Sequence, residues 1–116
     1  MTTEEKKEID KRFKRGRHFT YISDPGHAWL IVTHAELQFF GIEDSITPYS
    51  YMDKAFVYLE EDQDAVLFYN KFKARYGYWF DNENNNGAHI RDKDRYDKRM
   101  LNLEELSRST PFKMQE

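Results

Sequence analysis

The stretch Tyr21-Ile-Ser-Asp-Pro-Gly-His-Ala-Trp-Leu-Ile-Val32 restricts the fold more than any other part of the chain. Two apolar runs meet at an Asp-Pro-Gly turn, the pattern of an antiparallel hairpin. Proline presets φ at about −65° and glycine tolerates positive φ, so Asp24 to His27 reads as a type II β-turn. Such a turn splays a two-residue hairpin, which calls for a slightly longer or bulged connection. A bulge re-aims a side chain, and His27 is the one it would re-aim. Phe19, Tyr21 and Ser23 alternate with His18, Thr20 and Ile22 as the first strand, and Ala28 to Val32 form its return.

Helix signals follow. Thr33 with Glu36 makes a capping box, Leu37 and Phe40 face inward, and Gly41 ends the helix left-handed with Ile42 folding back. The segment 43–53, with Pro48, Tyr49 and Tyr51, reads as a loop. Lys54 to Glu60 alternates Ala55, Val57 and Leu59 against Phe56 and Tyr58, a half-buried strand. Asp62 is placed to cap the next helix, with Asp64 favourable near its positive end. Ala65, Phe68, Phe72 and Tyr76 recur at helical spacing before Gly77, an aromatic stripe that belongs to a core. Tyr78 to Phe80 is expected as a short strand, 81–87 as a turn or mobile loop, and Ala88 to Arg91 as one more strand. Asn102 with Glu105 caps a last small helix carrying Leu103 and Leu106.

The expected organisation is a charged N-terminal arm (1–17), one domain (18–106) and a loose tail (107–116). In the arm Ile9 and Phe13 share one helical face among charges, and a solvated, frayed helix is the expectation. Its basic end, Lys11 to Arg17, has the chemistry to contact phosphates. The element order β-β-α-β-α-β, with a C-terminal helix to follow, implies an α+β fold. Its small, mostly antiparallel sheet carries helices on one face.

Composition limits the chemistry. The chain has 116 residues, enough for one modest core, and a net charge of −3 from 18 basic and 21 acidic side chains. No global field draws it to nucleic acid or to a membrane. Aromatics are 16% of the residues, against a mean hydropathy of −0.95, so a few large rings are expected inside a charged shell. Without cysteine there is no disulfide, thiolate nucleophile or zinc ribbon. No apolar run follows the first lysines, so neither signal peptide nor membrane span is expected, and the setting implied is cytosolic.

Candidate chemistry centres on a few side chains. None of His18, His27, His34 and His89 sits in a metal-binding pair, and neither a metal nor a cofactor is expected. His34 falls in the first turn of a helix and reads as exposed. His27, at the hairpin tip, is the functional candidate, with Glu60 or Asp24 as acid–base partners if the protein is a small hydrolase or transferase. Glu60 stands at a strand end facing a cleft, whereas Asp62 and Asp64 are explained by capping. Ser23 lacks the glycine-framed elbow of a nucleophile. Arg91 and Arg95, with His89 and Tyr96, form a basic and aromatic group suited to an anion, opposed by Asp92, Asp94 and Asp97 as local ion-pair partners.

The blocks Tyr21 to Leu30, Pro48-Tyr-Ser-Tyr51, Tyr58 to Ala65 and His89-Ile-Arg91 resemble a family of small proteins met on bacteriophage and plasmid genomes. The similarity covers about residues 18–96. The family commonly has cysteine where Gln63 stands, and the asparagine-rich insertion and the tail after Tyr96 depart from its pattern. The resemblance implies a mobile-element source and a common fold.

The reading that follows is an accessory protein acting by binding in the host cytoplasm, in counter-defence. It would sequester a small anionic or nucleotide-type ligand or cap a host defence protein, with homo-oligomers open. Its ligand-binding residues would be His27, Trp29, Tyr58, Glu60, His89, Arg91 and Arg95.

Overall fold

In the computed structural model, which describes residues 1–79, 81–83, 90 and 93–100, alternation along the strands sorts side chains onto two sheet faces. Phe19, Leu30, Val32, Met52, Val57 and Leu59 point to one face and are buried with the helices. Ile22, Trp29 and Tyr58 are buried on the other, with Ile31, Tyr51 and Ile90 against them. The strands are β1 (Phe19–Ser23), β2 (Ala28–Thr33), β3 (Tyr51–Met52), β4 (Phe56–Glu60), β5 (Asp81–Glu83) and β6 (Asp94–Arg95). They lie in the order β5-β1-β2-β4-β3-β6, antiparallel at every pairing except β1 with β5. Among the described residues three α-helices, α1 (Thr3–Lys14), α2 (His34–Phe40) and α3 (Asp64–Tyr76), complete an α+β fold.

Local signals explain α2 and the end of α3. Thr33 and Glu36 close a reciprocal capping box, with N–H to oxygen distances of 3.0 and 2.9 Å. Gly41 at φ 67° turns the chain, and the Ile42 N–H reaches back to the Leu37 carbonyl. Gly77 ends α3 in the same region at φ 76°.

The N-terminal segment differs from its expectation. It is a docked helix, with Ile9 and Phe13 fully buried. The Phe13 ring meets those of Phe19, Phe39, Phe40, Phe72 and Tyr76 at centroid distances of 5.0 to 6.2 Å. The Tyr76 hydroxyl donates to Asp10 at 2.6 Å, and the Tyr78 hydroxyl donates to the Phe13 carbonyl. Burying two such side chains contributes about 1.5–3 kcal/mol each, enough to order a charged helix by one narrow stripe. The sequence shows that stripe but not the surface that receives it.

Further corrections follow the same logic. The segment 43–53 contains β3, which pairs with β4 and β6. Tyr78 and Trp79 are not in a strand; Trp79 stacks on Phe19 at 4.7 Å, and the chain then pairs as β5 with the free edge of β1. His34 is buried, its Nε2 2.8 Å from the Asp53 carbonyl oxygen, and burial holds its pKa below the ordinary histidine value. Gly26 is not in the left-handed region, so the turn is not type II, and the β1–β2 register runs unbroken from Thr20↔Ile31 to Ser23↔Ala28. Of the expected strand at 88–91 only Ile90 is described, and it is not in a strand; the helix at 102–106 and the tail at 107–116 lie outside the described residues.

Candidate functional site

Cross-strand register assembles an open cleft at one end of the sheet. Trp29 on β2 stands opposite Glu60 on β4, and Tyr51 on β3 stands opposite Arg95 on β6. The hairpin tip adds His27 and Ala28, the loop before β3 adds Tyr49, and the turn before α3 adds Glu61, Asp62 and Gln63. Together they line a cleft of about 450 Å³. His27, Trp29, Glu60 and Arg95, drawn from four separate elements, line it together.

The hairpin tip is held by one carboxylate. Asp24 Oδ1 accepts from the N–H groups of Gly26 and His27, both at 2.9 Å, while the Asp24 N–H donates to the His27 carbonyl. This local competition by aspartate replaces the second backbone bond of a tight hairpin and presents His27 outward. The exposed imidazole lies 5.7 Å from the Trp29 indole, and Trp29 meets Tyr51 edge-on at 6.3 Å. Among the described residues it makes no hydrogen bond to Asp24 or Glu60.

Glu60 has a different role from the one its position suggests. Its carboxylate accepts from the N–H groups of Asp62, Gln63 and Asp64 at 2.9, 2.6 and 2.9 Å. It caps α3, a task expected of Asp62; the N-cap residue Gln63 makes no side-chain bond. Three orphan donors at a positive helix end take up both carboxylate oxygens. Glu61 and Asp62 remain exposed on the cleft rim.

Beneath the cleft, Ser50 and Asp64 form a buried junction. The Ser50 hydroxyl donates to Asp64 Oδ2 at 2.5 Å and accepts the Glu60 N–H at 2.9 Å, while the Ser50 carbonyl accepts the Tyr96 N–H at 2.8 Å. Thr47 donates to the same Asp64 oxygen through its hydroxyl at 2.7 Å and its N–H at 3.0 Å. Ser50, anchored on the Asp64 carboxylate, thus ties the Tyr49–Tyr51 loop, the end of β4 and the chain after Arg95 to one another. Asp64, read from sequence as a helix-end charge, owes its place to this network.

Arg95 forms the cationic wall. Its guanidinium donates to the Pro48 carbonyl at 3.1 Å and lies 5.1 Å from the Tyr51 ring centre. Of its expected ion-pair partners, Asp97 is engaged by Arg99 at 2.9 Å instead. Tyr96 is buried with its hydroxyl donating to the Glu43 carbonyl at 2.7 Å, so it offers no ring to a ligand. Tyr58 is likewise outside the cleft lining. Its hydroxyl donates to Asp53 at 2.8 Å, and burial together with that carboxylate pushes its pKa up. Burial alone would raise Asp53, but N–H donation from Phe56 and Ala55, the Tyr58 hydroxyl and Lys93 at 3.2 Å hold its carboxyl below the usual range. His89 and Arg91 lie outside the described residues.

Sequence reasoning passed over Tyr49, Glu61 and Gln63 as site residues. Tyr49 carried a faint signal, a tyrosine beside a proline in a segment read as a loop, and the structure leaves it 67% exposed. Among the described residues no cluster of three or more metal-binding side chains occurs, and no helix is long and apolar enough to cross a membrane.

Fold and site define an α+β domain with an open, aromatic-lined cleft at the strand ends. No family model, curated protein or solved structure matches the chain.

Proposed function

We propose that this protein is a binding domain whose cleft takes a nucleotide-type ligand carrying one phosphate. The observation that carries this reading is the cleft lining: the rings of Trp29, Tyr49 and Tyr51, the exposed His27 and, among the described residues, a single guanidinium, Arg95. Aromatic faces stack on a base, worth about 1–3 kcal/mol each, and an arginine fork matches a phosphate. Against that one cation stand the exposed carboxylates of Glu61 and Asp62, which repel further phosphates. A monophosphate therefore suits the cleft better than a triphosphate.

Binding is favoured over catalysis by how the carboxylates are used. Glu60 is occupied by three backbone N–H groups and Asp24 by two, so neither is positioned as an acid–base partner of His27. The first three of the four sequence blocks that resemble the phage and plasmid family supply every lining residue except Arg95. That concurrence supports a shared ligand site and, with it, an accessory role in the host cytoplasm through sequestration of a nucleotide signal.

Isothermal calorimetry with nucleoside monophosphates and triphosphates, followed by mass analysis of the recovered ligand, tests the reading. Saturable binding of an unchanged monophosphate is expected. A product of altered mass that His27→Ala fails to make would establish an enzyme instead.

A further inference from the structure

We infer that the ligand is a phosphodiester, its phosphate on Arg95 and its second arm in a neighbouring cleft. This inference rests on the nucleotide-binding reading and deepens it, naming the class of phosphate and what lies beyond it. A second open cleft, of about 440 Å³, is formed by the chain after α2, by β6 and by the residues that follow β6. Among the described residues Arg95 alone lines both clefts. Pro48 and Tyr49, consecutive in the chain, line one each.

Arg95 is held where the two clefts meet. Its guanidinium donates to the Pro48 carbonyl at 3.1 Å and lies 5.1 Å from the Tyr51 ring centre. The loop that carries Pro48 is itself fixed, since Thr47 and Ser50 both donate to the buried Asp64 carboxylate. A guanidinium has five N–H donors in a planar fork, so the bond to Pro48 leaves most of them for a ligand.

The fork engages two phosphate oxygens at once. A phosphodiester has two non-bridging oxygens to offer, and its tetrahedral phosphorus then turns both ester oxygens away from the fork on diverging lines. Two clefts meeting at Arg95 give each arm one to enter. Charge selects the same class. A monoester carries a charge of about −1.5 to −2 at pH 7, a diester only a single negative charge. The second cleft adds no unpaired cation, because Lys98 is held by Asp44 at 2.6 Å and Arg99 by Asp97 at 2.9 Å. Glu43 and Asp94 stand in the same lining. One guanidinium among carboxylates thus matches one negative charge. The second arm must be uncharged, and a ribose suits it, since its hydroxyls donate to carboxylates. The ligand class is a dinucleoside monophosphate.

The test is calorimetry on the full chain with AMP, the methyl ester of AMP and the dinucleoside monophosphate ApA. The methyl ester has the diester charge without a second arm, which separates the two arguments. It should bind at least as tightly as AMP. ApA should bind about tenfold tighter than the methyl ester or better, the worth of one further charge-assisted hydrogen bond. Glu43→Trp and Asp94→Trp fill the second cleft from two different segments, and neither residue lines the first. At least one of them should bring ApA down to the methyl ester while AMP binds as before. ApA no tighter than the methyl ester, an ApA preference that survives both variants, or AMP tighter than its methyl ester would overturn the diester and leave nucleotide binding intact. If none of the three binds at millimolar concentration, both readings fall.

Discussion

The two faces of the sheet are buried by different means. Under the helices, Phe13, Phe19, Phe68 and Phe72 are wholly buried and pack through edge-to-face, tilted and stacked contacts. On the opposite face the rings are tied to polar groups: Tyr58 to Asp53, Tyr51 to Arg95, Trp29 to His27. Ring clusters hold by contact area, which is non-directional and tolerates no solvent. Polar ties hold rings at set positions beside water, which is the condition for a site. The helix-covered face stabilises the domain, and the open face spends part of that stability on presenting groups to a ligand.

That contrast breaks if truncations on the two faces act alike. Phe13→Ala or Phe68→Ala should destabilise the domain by about 3–5 kcal/mol in urea melts, because each leaves a cavity in a packed cluster. A loss below about 1 kcal/mol at Phe13 would return α1 to the status of a solvated arm. On the open face, Arg95→Ala should weaken monophosphate binding by about 1.5–3 kcal/mol in calorimetry, the worth of a charge-assisted bond. Its melting curve should stay close to that of the wild type.

The junction beneath the cleft belongs to both faces and sharpens the comparison. Asp64→Ala strands the hydroxyls of Thr47 and Ser50 in the interior, costing about 1–3 kcal/mol by chemical denaturation. Ligand affinity should fall with it, since the same carboxylate positions the Tyr49–Tyr51 loop.

His34 adds a pH dependence. Its folded pKa lies below the ordinary histidine value of about 6.5, so above that value both states are neutral and stability is full. As pH falls through it, the unfolded chain takes up a proton that the folded state refuses, and stability declines until the folded pKa is passed. Melts of wild type and His34→Gln between pH 8 and pH 5 should show the variant with the shallower decline. The smallest effect is expected at Tyr49→Ala. Its stability should stay within about 0.5 kcal/mol of wild type while base stacking is lost, which calorimetry reads directly.

Much of this molecule was legible in the sequence because the signals were local. The capping box at Thr33 and Glu36, the left-handed stops at Gly41 and Gly77, the hairpin pattern around Asp-Pro-Gly and the Phe68–Phe72 stripe each depend on residues within a few positions of one another. The α+β class follows from their order. The presence of His27, Trp29 and Glu60 at one end of the sheet was also readable, since strand ends converge.

What only the tertiary structure decided are the partners of polar and isolated apolar groups. Glu60 caps α3, Asp64 gathers the Thr47–Ser50 loop, His34 turns inward to the Asp53 carbonyl, and Phe13 finds five rings. Backbone propensity is set by near neighbours along the chain. The role of a carboxylate, an imidazole or a lone phenyl ring is set by whichever distant donor, acceptor or surface folding brings within a few ångströms, and that distance is written in no short stretch of sequence.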